Sequence, residues 1–104
     1  MADLEIAWTV PALTDVTETL DFMAGFDAGA AERWYMGIAR AVERAANFPR
    51  AGRMVPELSR DDVREVIVGS HRLIYRVTAT HVVVWAVWHG RRPLAEDVVA
   101  DHPE

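Results

Sequence analysis

The 104-residue sequence contains no cysteine and no lysine, and both absences limit the functions that are possible. Without cysteine there is no disulfide framework, no thiolate nucleophile and no cysteine-ligated metal site. Without lysine, all eleven basic residues are arginines, whose guanidinium groups suit bidentate contacts with carboxylates or phosphates. No apolar run is long enough to span a bilayer, and residues 1–5 lack the basic and apolar regions of a signal peptide. We therefore expect a soluble, cytoplasmic protein without a membrane partner.

Motifs for cofactor and metal chemistry are also missing. There is no glycine-rich phosphate loop and no nucleophile elbow. The four histidines lie on turns or in the C-terminal tail, without the spacing of metal ligands; they are His71, His81, His89 and His102. The sequence thus predicts neither a cofactor nor a metal site.

Charge is distributed unevenly along the chain, although the net charge is −5. Residues 1–32 carry seven acidic residues and no basic one, residues 33–92 carry all eleven arginines and five acidic residues, and residues 93–104 carry four acidic residues. A basic middle between acidic ends indicates contacts with something anionic or with an acidic protein. A dedicated nucleic-acid-binding domain is usually basic overall, which argues against that class.

Three short apolar runs predict an antiparallel meander in the second half of the chain. Residues 63–68, 72–77 and 82–88 are rich in valine, isoleucine and aromatic residues and are separated by small and polar turn residues, as β-strands are. The last run is apolar at nearly every position, which is typical of an inner strand buried on both faces.

The first half of the chain predicts one strand and two helices. Residues 5–10 alternate and end at Pro11, as an edge strand does. Helices are predicted for residues 15–25 and 27–47, each begun by an aspartate as N-cap. Apolar residues recur at helical spacing in the second helix; they are Trp34, Ile38, Ala41, Val42 and Ala45. Residues 50–60 are interpreted as a loop.

The element order β-α-α-β-β-β predicts one α+β domain over residues 1–104, with an acidic tail at about residues 95–104. A helical hairpin should cover one face of a four-stranded antiparallel sheet and bury the second helix against the strand at residues 72–77. Because two helices cannot cover both faces, we expect the other sheet face to be largely open.

Several short motifs, in this order and spacing, resemble the RelE/ParE superfamily of bacterial toxins. They are Phe48-Pro49, Gly52-Arg53, Val55-Pro56-Glu57-Leu58, Arg64-Glu65-Val66, Gly69, the strand from His71 to Val77, and His89-Gly90-Arg91-Arg92. The resemblance covers nearly the whole chain. It implies a two-layer RelE/ParE-like fold and the toxin of a type II toxin–antitoxin system, held inactive by a cognate antitoxin whose C-terminal segment wraps around it.

The superfamily contains two activities. RelE-like members cut mRNA in the ribosome, whereas ParE-like members inhibit DNA gyrase and have no known nuclease chemistry. The motifs resemble the ParE branch more closely, so the resemblance implies a gyrase inhibitor rather than an enzyme. The alternatives are a ribosome-dependent mRNA interferase and a non-toxic relic that only binds its antitoxin.

Under the ribonuclease alternative, the catalytic residues are Glu57, Arg72 and His89, which match the glutamate, arginine and histidine of the YoeB-like branch. The RelE pattern is matched less well, because its lysines are absent and a valine, Val98 or Val99, stands where its tyrosine would be. Simpler roles are preferred for two of the three residues: Glu57 would pair with a nearby arginine such as Arg53, and His89 would hydrogen-bond its own turn.

The arginines of the meander are the expected contacts of the antitoxin or target; they are Arg64, Arg72, Arg76, Arg91 and Arg92. Arg72 and Arg76 share a strand face with Ile74, and two like charges on one face require an acidic partner. We expect antitoxin carboxylates there, with residues 96–97 of the tail as the internal alternative. Trp85 and Trp88 occupy odd and even positions of their strand, so strict alternation would place them on opposite faces of the sheet. Core packing is nevertheless the preferred interpretation for both.

Overall fold

The computed structural model describes residues 3–90, in which two helices pack on one face of a five-stranded sheet. The elements are β1 (Glu5–Trp8), α1 (Val10–Ala24), α2 (Ala28–Asn47), β2 (Arg53–Met54), β3 (Val63–Val68), β4 (His71–Val77) and β5 (His81–His89). The strand order is β1-β5-β4-β3-β2. Within the described residues, no helix is long and apolar enough to cross a membrane. The predicted acidic tail lies outside them.

The two-layer α+β class is confirmed, but the sheet is mixed rather than four-stranded and antiparallel. β1 runs parallel to β5, with Glu5 beside His81 and Trp8 beside Val84. The other strand pairs are antiparallel. β2 adds a fifth strand inside the segment predicted as a loop, because a two-residue strand leaves no periodic pattern. Alternation identifies a strand without giving its direction, which explains the missed parallel pair.

Helix α1 begins five residues earlier than predicted, because Thr9 and not Asp15 is its N-cap. The Thr9 hydroxyl oxygen accepts a hydrogen bond from the Ala12 amide at 3.1 Å. Pro11 occupies the first turn, where a missing N–H costs nothing. The Asp15 carboxylate instead accepts a hydrogen bond from the Val87 amide at 3.0 Å, which fastens α1 to β5.

Helix α2 begins at the predicted cap and buries the predicted face. The Asp27 carboxylate accepts hydrogen bonds from the Gly29 and Ala30 amides at 3.0 and 3.2 Å. Trp34 and Ile38 are buried in the same cluster as Leu73 and Tyr75 of β4, as the helical periodicity predicted. Burying one such side chain contributes roughly 1.5–3 kcal/mol, so this face anchors the hairpin to the sheet.

The second face of the sheet, opposite the helices, carries its own apolar cluster and is not open as expected. Its members are Val55, Val63, Ile74, Val83, Trp85, Ala86 and Trp88. Tyr75 pairs with Val84 but Ile74 pairs with Ala86, so Trp85 is an extra residue in β5. Such a β-bulge shifts the alternation by one residue. Both tryptophans therefore lie on the second face, and core packing is confirmed for both.

Candidate functional site

An ion-pair network of Arg53, Glu57, Glu65 and Arg72 lies on the second face, where β2, β3 and β4 adjoin. The Glu65 side chain has no exposed surface. Its carboxylate accepts hydrogen bonds from Arg53 Nε at 2.5 Å and from Arg72 Nε at 2.7 Å. The two terminal nitrogens of Arg72 donate to the Glu57 carboxylate at 2.8 and 2.9 Å. Two arginines thus alternate with two carboxylates.

The network is neutral in sum, and Arg72 is its buried centre. Only 8% of the Arg72 side chain is exposed. The hydrogen bonds that Arg72 donates to the Glu57 and Glu65 carboxylates raise the pKa of Arg72 above its ordinary value, although burial opposes them. A buried charge is tolerated only when it is paired. The contacts therefore hold the loop that carries Glu57 against the sheet, and they neutralise Arg72 inside the molecule.

A second set of ion pairs occupies the far end of the same face. Arg76 Nε donates to the Asp62 carboxylate at 3.1 Å, and Arg60 donates to it at 2.9 Å. The hydrogen bond from Arg60, more than that from Arg76, lowers the pKa of Asp62. The Arg60 guanidinium also lies 5.8 Å from the centre of the Trp85 ring, within the range of a cation–π contact.

Arg64 points to the helix-packed face, where it ties the loop at residues 50–61 to β3. Its guanidinium donates to the Gly52 carbonyl at 3.0 Å and to the Asp61 carboxylate at 2.6 Å. Arg50 forms a further ion pair with Asp61. Only 12% of the Arg64 side chain is exposed, so its contacts are largely internal.

The predicted binding arginines therefore meet internal acceptors wherever the structure describes them. Arg64, Arg72 and Arg76 each contact an aspartate or a glutamate of the chain. Their role in antitoxin binding stays a prediction. Arg91 and Arg92, and the tail acids suggested as an internal solution, lie outside the described residues.

The three residues of the ribonuclease alternative are not brought together. Glu57 and Arg72 meet on the second face, where Glu57 pairs with an arginine, as expected; the arginine is Arg72. His89 instead pairs across the strands with His71, their ring centres 5.7 Å apart. The His71 ring packs edge-on against Trp34 of α2 at 5.2 Å, which places both histidines on the helix-packed face. The sheet thus separates His89 from Glu57 and Arg72.

A groove of about 530 Å³ lies between α1 and the end of the β4–β5 pair; we call it the α1 groove. Residues that line it include Glu18, Phe22, Met23, His71, Val87 and His89. Burial, and to a lesser degree the nearby His89, lowers the pKa of His71. Sequence reasoning missed this groove, because its two walls are about fifty residues apart in the chain. In residues 3–90, no three side chains are grouped as metal ligands would be.

Sequence reasoning also failed to identify Glu65 as a residue of the site, although the pattern of β3 indicates it. Val63 and Glu65 have the same parity in β3, so a carboxylate lies on a face that begins with a fully buried valine. A carboxylate in such a position is rarely left unpaired. The alternation of β4 places Arg72, with its positive charge, on the same face of the sheet as Glu65.

Comparison with a solved structure identifies the fold. The chain superposes on a chain of the "Chromosomal ParDE TA system from P. aeruginosa" with a TM-score of 0.68, covering 86% of this chain and 98% of the other, at 15% sequence identity. This chain and the chain of that system therefore share one fold.

Sequence comparison then gives the family. Residues 6–94 match the family model described as "ParE toxin of type II toxin-antitoxin system, parDE", and the chain belongs to this ParE toxin family. It is also 40% identical over 62 residues to "Toxin ParE1" from two strains of Mycobacterium tuberculosis, CDC 1551 / Oshkosh and ATCC 25618 / H37Rv. These matches cover 59% of this chain and 62% of the relatives. The family is described as the toxin of type II toxin-antitoxin systems.

Proposed function

We propose that this toxin inhibits DNA gyrase by binding to it and does not cleave RNA. The observation that carries the proposal is the position of His89 on the sheet face opposite Glu57 and Arg72. Cleavage through a 2′-hydroxyl needs a base, an acid and a cation at one phosphate. Glu57 and His89 cannot act on the same phosphate through the sheet.

The state of Arg72 also disfavours nuclease chemistry. To stabilise a phosphorane, this arginine would have to leave Glu57 and Glu65, with which it forms contacts of 2.6–2.9 Å. Leaving would take one of its two arginine partners from the Glu65 carboxylate, which is fully buried, at a cost of several kcal/mol. The sequence has no lysine to replace it. Binding to a protein target requires none of these rearrangements.

The antitoxin contacts remain those expected from the sequence, with one refinement. The Arg76 side chain is 23% exposed, whereas the Arg72 side chain is 8% exposed. We expect an antitoxin carboxylate to reach Arg76 beside Asp62, whereas Arg72 acts from within by holding the Glu57 loop. Both gyrase and antitoxin would be met in the cytoplasm, which we propose as the site of action.

The test is induction of the toxin in cells that carry an SOS reporter, with mapping of mRNA ends in parallel. The wild type should induce the SOS response without codon-position cuts in ribosome-bound mRNA. His89→Gln should keep this toxicity, because His89 is exposed and lies on the sheet face opposite Glu57 and Arg72. His81→Gln, at the other end of β5, is the matched control. A nuclease would lose about a hundredfold of its activity on loss of its general acid, so mRNA cuts that disappear in His89→Gln alone would overturn the proposal.

A further inference from the structure

Two large aromatic side chains are exposed beside the α1 groove. Phe22 is 69% exposed and Phe26 is 79% exposed. Their ring centres lie 5.1 Å apart, edge to face, so they form one apolar patch. Adjoining exposed apolar side chains are typical of a protein interaction site.

The same side of the molecule carries acidic residues that form no ion pair with another residue of the range 3–90. Glu18 lines the groove, and Asp21 lies beside Phe22 on the exposed side of α1. Within residues 3–90, neither carboxylate forms an ion pair, and the first arginine of the chain is Arg33. Asp15, one turn before Glu18, is already used to bind the Val87 amide. The groove thus presents negative charge next to apolar surface.

This arrangement contrasts with the arginines of the sheet. There Glu57, Glu65 and Asp62 pair with the arginines, so the net charge of that face is reduced. Uncompensated charge is what selects and steers a binding partner. Among the surfaces of residues 3–90, the acidic, apolar side of α1 is therefore the one with the clearest preference for one kind of partner.

We propose that the α1 groove binds a basic amphipathic segment of the antitoxin. The proposal rests on the function assigned above only in so far as the antitoxin is the partner. An aliphatic side chain of the segment fits between Met23 and Val87, which line the groove. An arginine or lysine next to it lies over the Phe22 ring, as a cation–π contact requires, with its charge towards Glu18.

The test compares two charge reversals in complexes of the toxin with its cognate antitoxin. Glu18→Arg should weaken the complex about a hundredfold, because like charges then meet at the interface, and should flatten the salt dependence of Kd. Glu43→Arg makes the same charge change on the exposed side of α2, away from the groove. It should leave Kd within about twofold, as substitutions outside an interface do.

A second variant keeps the test independent of charge and of folding. Phe22→Ala removes a side chain that is 69% exposed, so the fold should be retained, as circular dichroism would verify. It should weaken the complex about tenfold or more, as loss of an aromatic anchor does. If both Glu18→Arg and Phe22→Ala bind the antitoxin with unchanged Kd and unchanged salt dependence, the proposal is wrong.

The outcome is separable from the question of the toxin's target. Kd is measured with purified toxin and antitoxin, so a failed gyrase assay would leave the groove result intact. Conversely, gyrase inhibition by Glu18→Arg without antitoxin should equal that of the wild type. A loss of gyrase inhibition in this variant, with antitoxin binding preserved, would assign the groove to the target and overturn the proposal.

Discussion

Replacing Arg72 by methionine should lower the free energy of unfolding by about 3–5 kcal/mol, the usual cost of breaking a buried ion pair. The substitution leaves the Glu65 carboxylate, which has no exposed surface, with Arg53 as its remaining partner in the network. The Arg53 side chain is 65% exposed, so its pairing compensates only in part. Domains of this size are stable by about 5–15 kcal/mol, and the variant should therefore be close to unfolding.

Urea unfolding followed by tryptophan fluorescence measures this loss. Arg40→Met is the control, because Arg40 is exposed on α2 and the same substitution there should cost less than about 0.5 kcal/mol. The double variant Glu65→Leu with Arg72→Met should recover most of the stability, since apolar residues often replace a buried pair without loss. A cost below about 1 kcal/mol for Arg72→Met, or a double variant no better than the sum of its parts, would refute the structural role of the network.

Two further predictions concern stability. The pKa of His71 is lowered in the fold, so the unfolded chain takes up its proton first as the pH falls. The free energy of unfolding should therefore decrease as the pH drops below the ordinary histidine pKa of 6.5, and His71→Gln should make the urea midpoint less dependent on pH there. Gly52→Ala should cost about 1–3 kcal/mol by overpacking, because its Cβ would lie 2.5 Å from the Tyr75 hydroxyl and 2.9 Å from the Glu65 carbonyl oxygen; an unchanged melting temperature would contradict this contact.

The helical hairpin was predictable because its signals are local. The spacing of Trp34 and Ile38 gives the buried face of α2, and the Asp27 cap gives its start. The start of α1 was missed because Pro11 fits two interpretations, the end of a strand and the first turn of a helix. Only contacts distant in sequence decide between them: the Thr9 hydroxyl donates to the Val84 carbonyl at 3.2 Å.

The candidate site was harder to predict, because a local pattern does not show which charges meet. The sequence places Glu57, Arg72 and His89 near the sheet, but the pairing of β4 with β5 decides that His89 lies beside His71. The bulge at Trp85 likewise depends on register and changes the face of every later residue in β5. The pairing of Glu65 with Arg72 could have been predicted from the alternation of β3 and β4, which places both residues on the second face.

Gyrase supercoiling measured with purified components tests the central claim most directly. Purified toxin, released from its antitoxin, is added to DNA gyrase and relaxed plasmid, and separately to ribosomes that carry a defined mRNA. We predict that supercoiling is inhibited, that His89→Gln inhibits it equally, that added antitoxin restores it, and that the mRNA stays intact. Unimpaired supercoiling together with cleavage of the ribosome-bound mRNA would contradict the account.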